Sequence, residues 1–338
     1  MKQRVWGLII PLILLTFSGL AQKYVLAPPT KIKWISFNEL ANYQQQEKRP
    51  VLIDVYTDWC GWCKKLDVTT YADPNIINYV NQSFYAIKFD AETHDTITYL
   101  GIKYFNKNAA KKSTHDLAVH LMGNNLSYPT SIFLNKESNP ALVVPGYQES
   151  NDMAPFLVYF AENLQNTANI NDFNADFHKA FGGTKNDSIA INWMPLNQAL
   201  ILQKIKPKKL FVHLKNSNVI SDRVMSNSTL VSNDVINELN KNYYCIDFDV
   251  YSADTISFQN NLFVNANPGI EIHQFAKGLL QNEVGFPAVV ILNEQQLVLA
   301  PIKQYLTHDH LVALLVYFKE DIYKTKSFAE FAKERYGK

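Results

Sequence analysis

Hydrophobic positions along the chain group into short unbroken runs that are separated by amphipathic stretches. Three such runs lie in the first half, at residues 51–56, 84–89 and 130–134. Unbroken β-prone runs of this length predict strands that are buried on both faces of a sheet. Helical patterns alternate with them, at residues 36–48, 115–122 and 152–164. This alternation predicts an α/β fold in which helices cover both faces of a mixed central sheet.

The same order of elements returns in the second half of the chain. A shift of 159 residues places Trp34 on Trp193, and after a deletion of one residue Pro129 meets Pro287. Ordered matches of this kind continue over about 130 residues, and self-similarity at a fixed spacing is the signature of repeated units. The sequence therefore predicts a tandem duplication.

The duplication divides the chain into a leader, two copies and a linker. We expect a signal peptide at residues 1–21, a first copy at 22–165, a linker at 166–188 and a second copy at 189–338. The linker is predicted because residues 166–186 are rich in Asn, Asp, Gly and Thr, a composition typical of connecting segments.

The N-terminus has the three parts of a secretory signal peptide. Lys2 and Arg4 precede an apolar run at residues 5–17, and the small residues Gly19 and Ala21 follow it. This plan predicts cleavage after Ala21 and export to the periplasm, with no stable membrane span afterwards. The alternative is an uncleaved anchor, which the 17 apolar and small residues at 5–21 would just allow.

Charge excludes one class of partner. Lys and Arg number 32 against 31 Asp and Glu, so the net charge is +1. No concentrated basic stripe is present to hold a phosphate backbone, and we expect no nucleic-acid partner.

Two of the three cysteines carry the candidate chemistry. Cys60 and Cys63 lie in the loop Trp-Cys-Gly-Trp-Cys-Lys at residues 59–64, between a predicted strand and a predicted helix. A cysteine at a helix N-terminus is stabilised as the thiolate, so Cys60 is the expected nucleophile and Cys63 the resolving thiol. A zinc site would need two further ligands, and no second cysteine pair exists. We therefore expect a redox-active disulfide, with no metal and no separate cofactor.

These motifs identify a resemblance to a known family. Residues 51–64 resemble the active-site segment of thioredoxins, and Tyr128-Pro129-Thr130 followed by Gly146 resembles the second half of that fold. The Lys-Lys after the second cysteine and the Tyr-Ala-Asp-Pro at residues 71–74 are nearer to the C-terminal domain of the periplasmic thiol–disulfide interchange reductase. The resemblance covers residues 31–165 and reaches the second copy by fold pattern only. It implies tandem thioredoxin-like folds, of which the second is degenerate.

The resemblance also implies roles for individual residues. Asp54 matches the buried acid that exchanges a proton with the resolving thiol, and Pro129 matches the cis-proline beside which substrate backbone pairs. Trp59 matches the aromatic wall of the loop. The expected substrate-binding residues are Trp59, Gly61, Trp62, Tyr128 and Pro129. Trp62 and Tyr128 depart from ordinary thioredoxin, where a proline and a smaller residue stand, and changes so near the cysteines alter the redox potential.

The second copy has lost the cysteines. Val219 and Asp222 stand at their positions, and His213 stands at the position of Asp54. No disulfide chemistry is expected there. The copy is predicted instead to bind partners or substrate for the first copy, or to mediate dimerisation. Cys245 lies in a predicted strand and is expected to be a buried, inert thiol.

The sequence thus predicts an exported protein-disulfide oxidoreductase that leans towards reduction or interchange. Its partners would be protein thiols and disulfides, together with an unidentified thiol–disulfide electron donor or acceptor. Two alternatives remain open at this point. One is a thiol oxidase or disulfide isomerase, and the other is a binding or chaperone-like module with a minor redox role.

Overall fold

The computed structural model describes residues 29–107, 113–123, 125–182 and 189–336. The predicted signal peptide lies outside these ranges. Within them, no helix combines the length and the apolar character that a membrane span requires.

The first half is built on a five-stranded mixed sheet in the spatial order β1-β3-β2-β6-β7. Its strands are β1 (Trp34–Ile35), β2 (Val51–Tyr56), β3 (Tyr85–Asp90), β6 (Thr130–Leu134) and β7 (Pro140–Pro145). The strands β1, β3 and β2 run parallel, and β6 and β7 are antiparallel to their neighbours. A separate hairpin of β4 (Ile97–Tyr99) and β5 (Ile102–Tyr104) was not predicted.

Helices cover both faces of this sheet. They are α1 (Phe37–Gln46), α2 (Gly61–Val68), α3 (Pro74–Ser83), α4 (Asp116–Met122) and α5 (Ser150–Ala161). Alternate residues of β2 enter different cores, because Leu52 packs with side chains of α2, α3 and α5, whereas Ile53 packs with those of α1 and α4. The predicted doubly buried strand is confirmed.

One prediction in this region was wrong. The single helix expected after the cysteine loop is two helices, α2 and α3, joined by a short 3-10 turn at Thr70–Ala72. The side chain of Asp73 accepts hydrogen bonds from the backbone N–H groups of Asn75 and Ile76, and Pro74 occupies the first helical position. A capping acid followed by proline starts a new helix.

The second half repeats the architecture around a four-stranded sheet in the order β13-β12-β8-β9. The strands are β8 (Lys209–Lys215), β9 (Tyr243–Asp249), β12 (Ala288–Leu292) and β13 (Val298–Ile302), with a hairpin of β10 (Ile256–Phe258) and β11 (Asn261–Phe263). The helices are α7 (Leu196–Ile205), α8 (Ile220–Asn227), α9 (Asn233–Asn242), α10 (Gln274–Leu279), α11 (His308–Lys319) and α12 (Phe328–Tyr336). Trp193 forms an isolated bridge to Cys245, where β1 stands in the first half. The fold class is the predicted one.

Part of the predicted linker is a helix. Residues Ile170–Phe181 form α6, whose Phe173 is fully buried against Tyr159 and Tyr305. The Asn- and Asp-rich composition indicated a loop, but apolar residues at positions 170, 173, 177 and 181 recur at helical spacing and supply a buried face. Residues 183–188 of the predicted linker lie outside the described residues.

The two halves are docked on each other. One hydrophobic core extends from α5 of the first half, across α6, to α8 and α11 of the second. Polar contacts add to it, since the Tyr305 hydroxyl donates to Asp176 on α6 at 2.7 Å. The side chain of Glu162, directly after α5, also reaches into the second half.

Candidate active site

Cys60 and Cys63 lie at the junction between β2 and α2, and they form a disulfide. Cys60 is the N-cap of α2, and its Sγ accepts a hydrogen bond from the Cys63 backbone N–H at 3.0 Å. Both side chains are nearly buried. Because the amide groups and dipole at a helix N-terminus favour negative charge, a thiolate at Cys60 is stabilised once the disulfide is reduced.

Two exposed tryptophans flank the disulfide. Trp59 has 58% of its surface exposed, and Trp62 has 57%. The Trp59 ring meets the edge of Tyr128 at a centroid distance of 6.0 Å, and Trp62 packs on Tyr147 at 5.5 Å. A Cβ added at Gly61, between the cysteines, would meet no atom within 4 Å. The surface over the disulfide is therefore open and bordered by aromatic rings.

The loop before β6 completes this surface. The Tyr128–Pro129 peptide bond is cis, as the resemblance implied, and the Phe286–Pro287 bond of the second half is cis as well. The pairing of Val55 with Thr130 places the loop beside the end of β2, where the cysteine loop begins. The structure thus brings Cys60, Cys63 and the predicted substrate-binding residues together at one end of the sheet.

Asp54 is buried in β2, with 1% of its surface exposed. Its Oδ1 has no hydrogen-bond partner among the described residues. Burial raises the pKa of Asp54 to about 7, although the Lys88 ammonium opposes the rise. A carboxyl group with a pKa near neutrality is suited to exchange a proton under physiological conditions.

Sequence reasoning missed the charges around Asp54. Lys88 on β3 places its Nζ 3.7 Å from Asp54 Oδ2, and the same ammonium pairs with Asp67 on α2. Asp54 and Lys88 are direct neighbours in the parallel pairing of β2 and β3. A lysine within an otherwise apolar strand was the available signal for this contact. Tyr147 was also missed, although it directly follows Gly146.

The equivalent positions of the second half hold a different set of charges. His213 donates through both ring nitrogens, from Nε2 to Asp222 at 3.0 Å and from Nδ1 to Asp247 at 2.8 Å. Burial alone would lower the pKa of His213, but the two carboxylates raise it to about 9. The second half has therefore replaced a buried acid and a thiol by a buried imidazolium held between two carboxylates.

The helix end that corresponds to the redox loop is occupied by the first half. The backbone N–H groups of Ile220 and Ser221 at the start of α8 donate to the Glu162 carboxylate, each at 2.9 Å. Trp62, the equivalent of Ser221, is exposed, whereas Ser221 is fully buried. In this structure the degenerate site is part of the contact between the halves.

The remaining thiol and the candidate metal ligands add no second site. Cys245 is free and buried, and burial raises its pKa to about 12, as expected for an inert thiol. Within the described ranges, no three His, Cys, Asp or Glu residues converge as a metal site requires.

Comparison with known proteins supports the interpretation of the first half. Residues 37–161 match the model of the thioredoxin-like domain family. No curated protein matches the chain.

Several solved structures are similar to part of the chain. The oxidoreductase DsbH is 15% identical, with a TM-score of 0.30, and the match covers 41% of this chain and 89% of that one. A putative disulphide-isomerase from Bacteroides thetaiotaomicron is 20% identical, with a TM-score of 0.29 and coverage of 40% and 97%. A thioredoxin-fold protein from Helicobacter pylori is 14% identical, with a TM-score of 0.31 and coverage of 38% and 80%.

The family match and the local geometry agree on the same segment. The matched residues include β2, the cysteine loop and the cis-proline loop, and the disulfide lies at the start of α2. A thiol–disulfide redox function follows from this combination of fold and cysteine pair. Residues 37–161 of the chain are therefore identified as a thioredoxin-like domain.

Proposed function

We propose that the chain is an exported protein thiol–disulfide oxidoreductase that works mainly as a disulfide reductase. The observation that carries the proposal is the Cys60–Cys63 disulfide at the start of α2, beneath an open surface bordered by aromatic rings. Export is proposed from the basic and apolar parts of the first 21 residues.

Cys60 makes the first attack. In the reduced protein its thiolate attacks one sulfur of a substrate disulfide, so that a mixed disulfide forms and the first substrate thiolate leaves. The backbone N–H of Cys63 already points at the Cys60 sulfur at 3.0 Å, and it stabilises the thiolate as the α2 dipole does.

Cys63 completes the exchange. Its thiol loses a proton and attacks Cys60 Sγ, which forms the Cys60–Cys63 disulfide and releases the second substrate thiolate. Two electrons thereby pass from the dithiol to the substrate. We assign Asp54 as the base for the Cys63 proton, because its pKa of about 7 leaves a large ionised fraction at neutral pH. The same exchange in reverse would oxidise a substrate dithiol, so the reduction potential of the cysteine pair sets the direction.

The substrate is a polypeptide in this proposal. The backbone beside Pro129 would pair with an extended substrate segment as an added strand, and Trp59, Gly61, Trp62 and Tyr128 would line its path. More than half of the surface of each tryptophan is exposed, which suits contact with a protein chain better than contact with a small thiol. The second half, docked through Glu162, would support this domain.

A redox titration tests the direction of electron flow. The protein is equilibrated with glutathione mixtures, and the intrinsic fluorescence of the tryptophans beside the disulfide is followed. We expect a two-electron transition at a potential more negative than about −200 mV, on the reducing side of the disulfide isomerases. A midpoint near −120 mV would favour the thiol oxidase, and the absence of any transition would contradict redox function.

A further inference from the structure

The surface around the disulfide is electrically polarised. Acidic side chains lie on the Trp59 side of the redox loop, and a lysine lies on the Trp62 side. The acidic side consists of Asp58, Asp90 and Glu92, and the basic side consists of Lys65.

The acidic side is tied to Trp59. The indole Nε1 donates to Glu92 Oε1 at 3.0 Å, which fixes a carboxylate next to the exposed ring. Burial is the main cause of the raised pKa of Asp90, and the negative charges of Asp58 and Glu92 raise it further. The three carboxylates are therefore close enough to interact electrostatically. The exposed His94 lies nearby and lowers the pKa of Asp90.

The basic side is tied to Trp62. The Lys65 Nζ lies 4.7 Å from the ring centroid of Trp62 and 4.7 Å from that of Tyr147. The Tyr147 hydroxyl is within 3.0 Å of Thr69 Oγ1, which holds the ring in place. Cation–π contact with two rings positions the ammonium beside the disulfide while leaving it exposed.

None of these four charged groups is neutralised by an ion pair within the parts of the chain that the structure describes. The ion pairs nearest in sequence join Lys88 to Asp54 and Asp67, and they involve neither Lys65 nor Glu92. Both charges are therefore available to a ligand that lies over the disulfide.

The two sides are joined across the site. Trp59 contacts Tyr128, which precedes Pro129, and the Pro129 carbonyl accepts a hydrogen bond from the Gly146 backbone N–H at 2.8 Å. Gly146 precedes Tyr147, which contacts Trp62. A segment bound over the disulfide thus meets an acidic and aromatic wall at one end and a basic and aromatic wall at the other.

We propose that this polarised surface selects its substrates by charge order. The preferred protein segment has a cysteine between apolar or aromatic side chains, with a basic residue towards Glu92 and an acidic residue towards Lys65. This inference rests on the proposed exchange reaction and names its substrate class. Since exposed ion pairs are individually weak, we expect about threefold discrimination from each charge.

Two peptides of identical composition test the proposal. Each is a five-residue disulfide-linked dimer, with the order lysine, phenylalanine, cysteine, phenylalanine, glutamate in one and the reverse order in the other. The reduced protein is mixed with each peptide, and the ratio of the two reduction rates is measured. We expect a ratio of about ten at low salt that falls towards one as salt screens the charges.

Charge-reversed variants decide whether these residues cause the preference. In Glu92→Gln, Lys65→Gln the ratio should fall towards one, and in the Glu92→Lys, Lys65→Glu double variant it should fall further, while Asp58 and Asp90 keep part of the original polarity. Because each ratio compares two peptides on one protein, a general loss of activity cancels. A matched control, Glu137→Lys with Lys333→Glu, changes exposed charges elsewhere and should keep the wild-type ratio.

The possible failures are distinct. Equal rates for the two peptide orders on the wild-type protein would overturn the charge-order proposal while leaving the exchange reaction intact. A ratio that is unchanged in both double variants would also overturn it. If the wild-type protein reduces neither of these peptides nor a neutral one with serine at both ends, the proposed function itself fails.

Discussion

A Cys63→Ser variant is expected to accumulate covalent complexes with its protein substrates, joined through Cys60. The first attack needs only the Cys60 thiolate, which the start of α2 stabilises. Release of the substrate needs the second thiol, so the reaction stops at the mixed disulfide. Reduced variant mixed with insulin should give a complex that resists denaturation but not dithiothreitol, seen by mass spectrometry. Turnover should fall by at least about 10⁴-fold, as when one member of a catalytic unit is removed.

Two matched variants make the trapping specific. Cys60→Ser keeps the Cys63 thiol but should trap nothing, because only the Cys60 sulfur lies at the N-cap of α2 and accepts a backbone N–H there. Cys245→Ser should behave as the wild type, since that thiol is buried in β9 with a pKa of about 12. Equal trapping by the Cys60→Ser variant would show that the nucleophile has been assigned to the wrong cysteine.

An Asp54→Asn variant is expected to be more stable than the wild type at pH 8.5. The pKa of Asp54 is about 7 in the folded protein against an ordinary value of 3.8. The folded state therefore binds this proton more tightly than the unfolded state does. The associated stability is fully present below pH 3.8 and is lost as the pH rises through 7. At 1.36 kcal/mol for each unit, the charged side chain costs about 4 kcal/mol at pH 8.5.

Hydrogen exchange of the β2 amides measures this effect within the first half, where a global unfolding curve would mix both halves. The gain in stability of the Asp54→Asn variant over the wild type should disappear near pH 4, where the wild-type carboxyl is protonated. Glu137→Gln, at an exposed carboxylate in the turn before β7, should change stability by less than about 0.5 kcal/mol at either pH. A variant no more stable than the wild type at pH 8.5 would contradict the burial of an ionisable Asp54.

The Asp54→Asn variant should also resolve mixed disulfides about a hundredfold more slowly at pH 7, because asparagine accepts no proton.

Local patterns in the sequence predicted the parts of the fold that are locally determined. The apolar runs marked β2 and β6 to the residue, because a strand buried on both faces is apolar at most of its positions. The cysteine loop was placed correctly at a helix start, since the pair lies between a strand and a helical pattern. The tandem duplication and the export signal remain predictions from the sequence.

Contacts between distant segments were the part that could not be predicted. Asp67 lies on α2 and Lys88 on β3, both distant from Asp54 in sequence. The β2–β3 register places Lys88 beside Asp54, and the ion pair between Lys88 and Asp67 adds the second charge. Glu162 resembles any polar residue at a helix end, and nothing local indicates that it binds the start of α8. The helix α6 was not predicted because most of its residues are polar, and its few apolar residues are buried only through tertiary packing.

The predicted roles of the second half in binding partners or substrate, or in dimerisation, stay predictions, and the structure shows which part of its surface is already covered. Its cysteine-loop equivalent receives the Glu162 carboxylate, so a polar group of the first half already occupies the helix end that a partner would approach. The shared core through α6 makes this a broad contact. A supporting role for the second half is therefore the hypothesis that the geometry favours, and dimerisation would have to use another surface.

The most direct test of thiol–disulfide exchange is the reduction of insulin in the presence of dithiothreitol. The account predicts that the wild-type protein accelerates precipitation of the released B chain, while a Cys60→Ser, Cys63→Ser double variant stays at the uncatalysed rate. A binding or chaperone-like module would give no such difference. If the wild-type protein reduces insulin no faster than the folded double variant does, the Cys60–Cys63 pair is not a working redox centre.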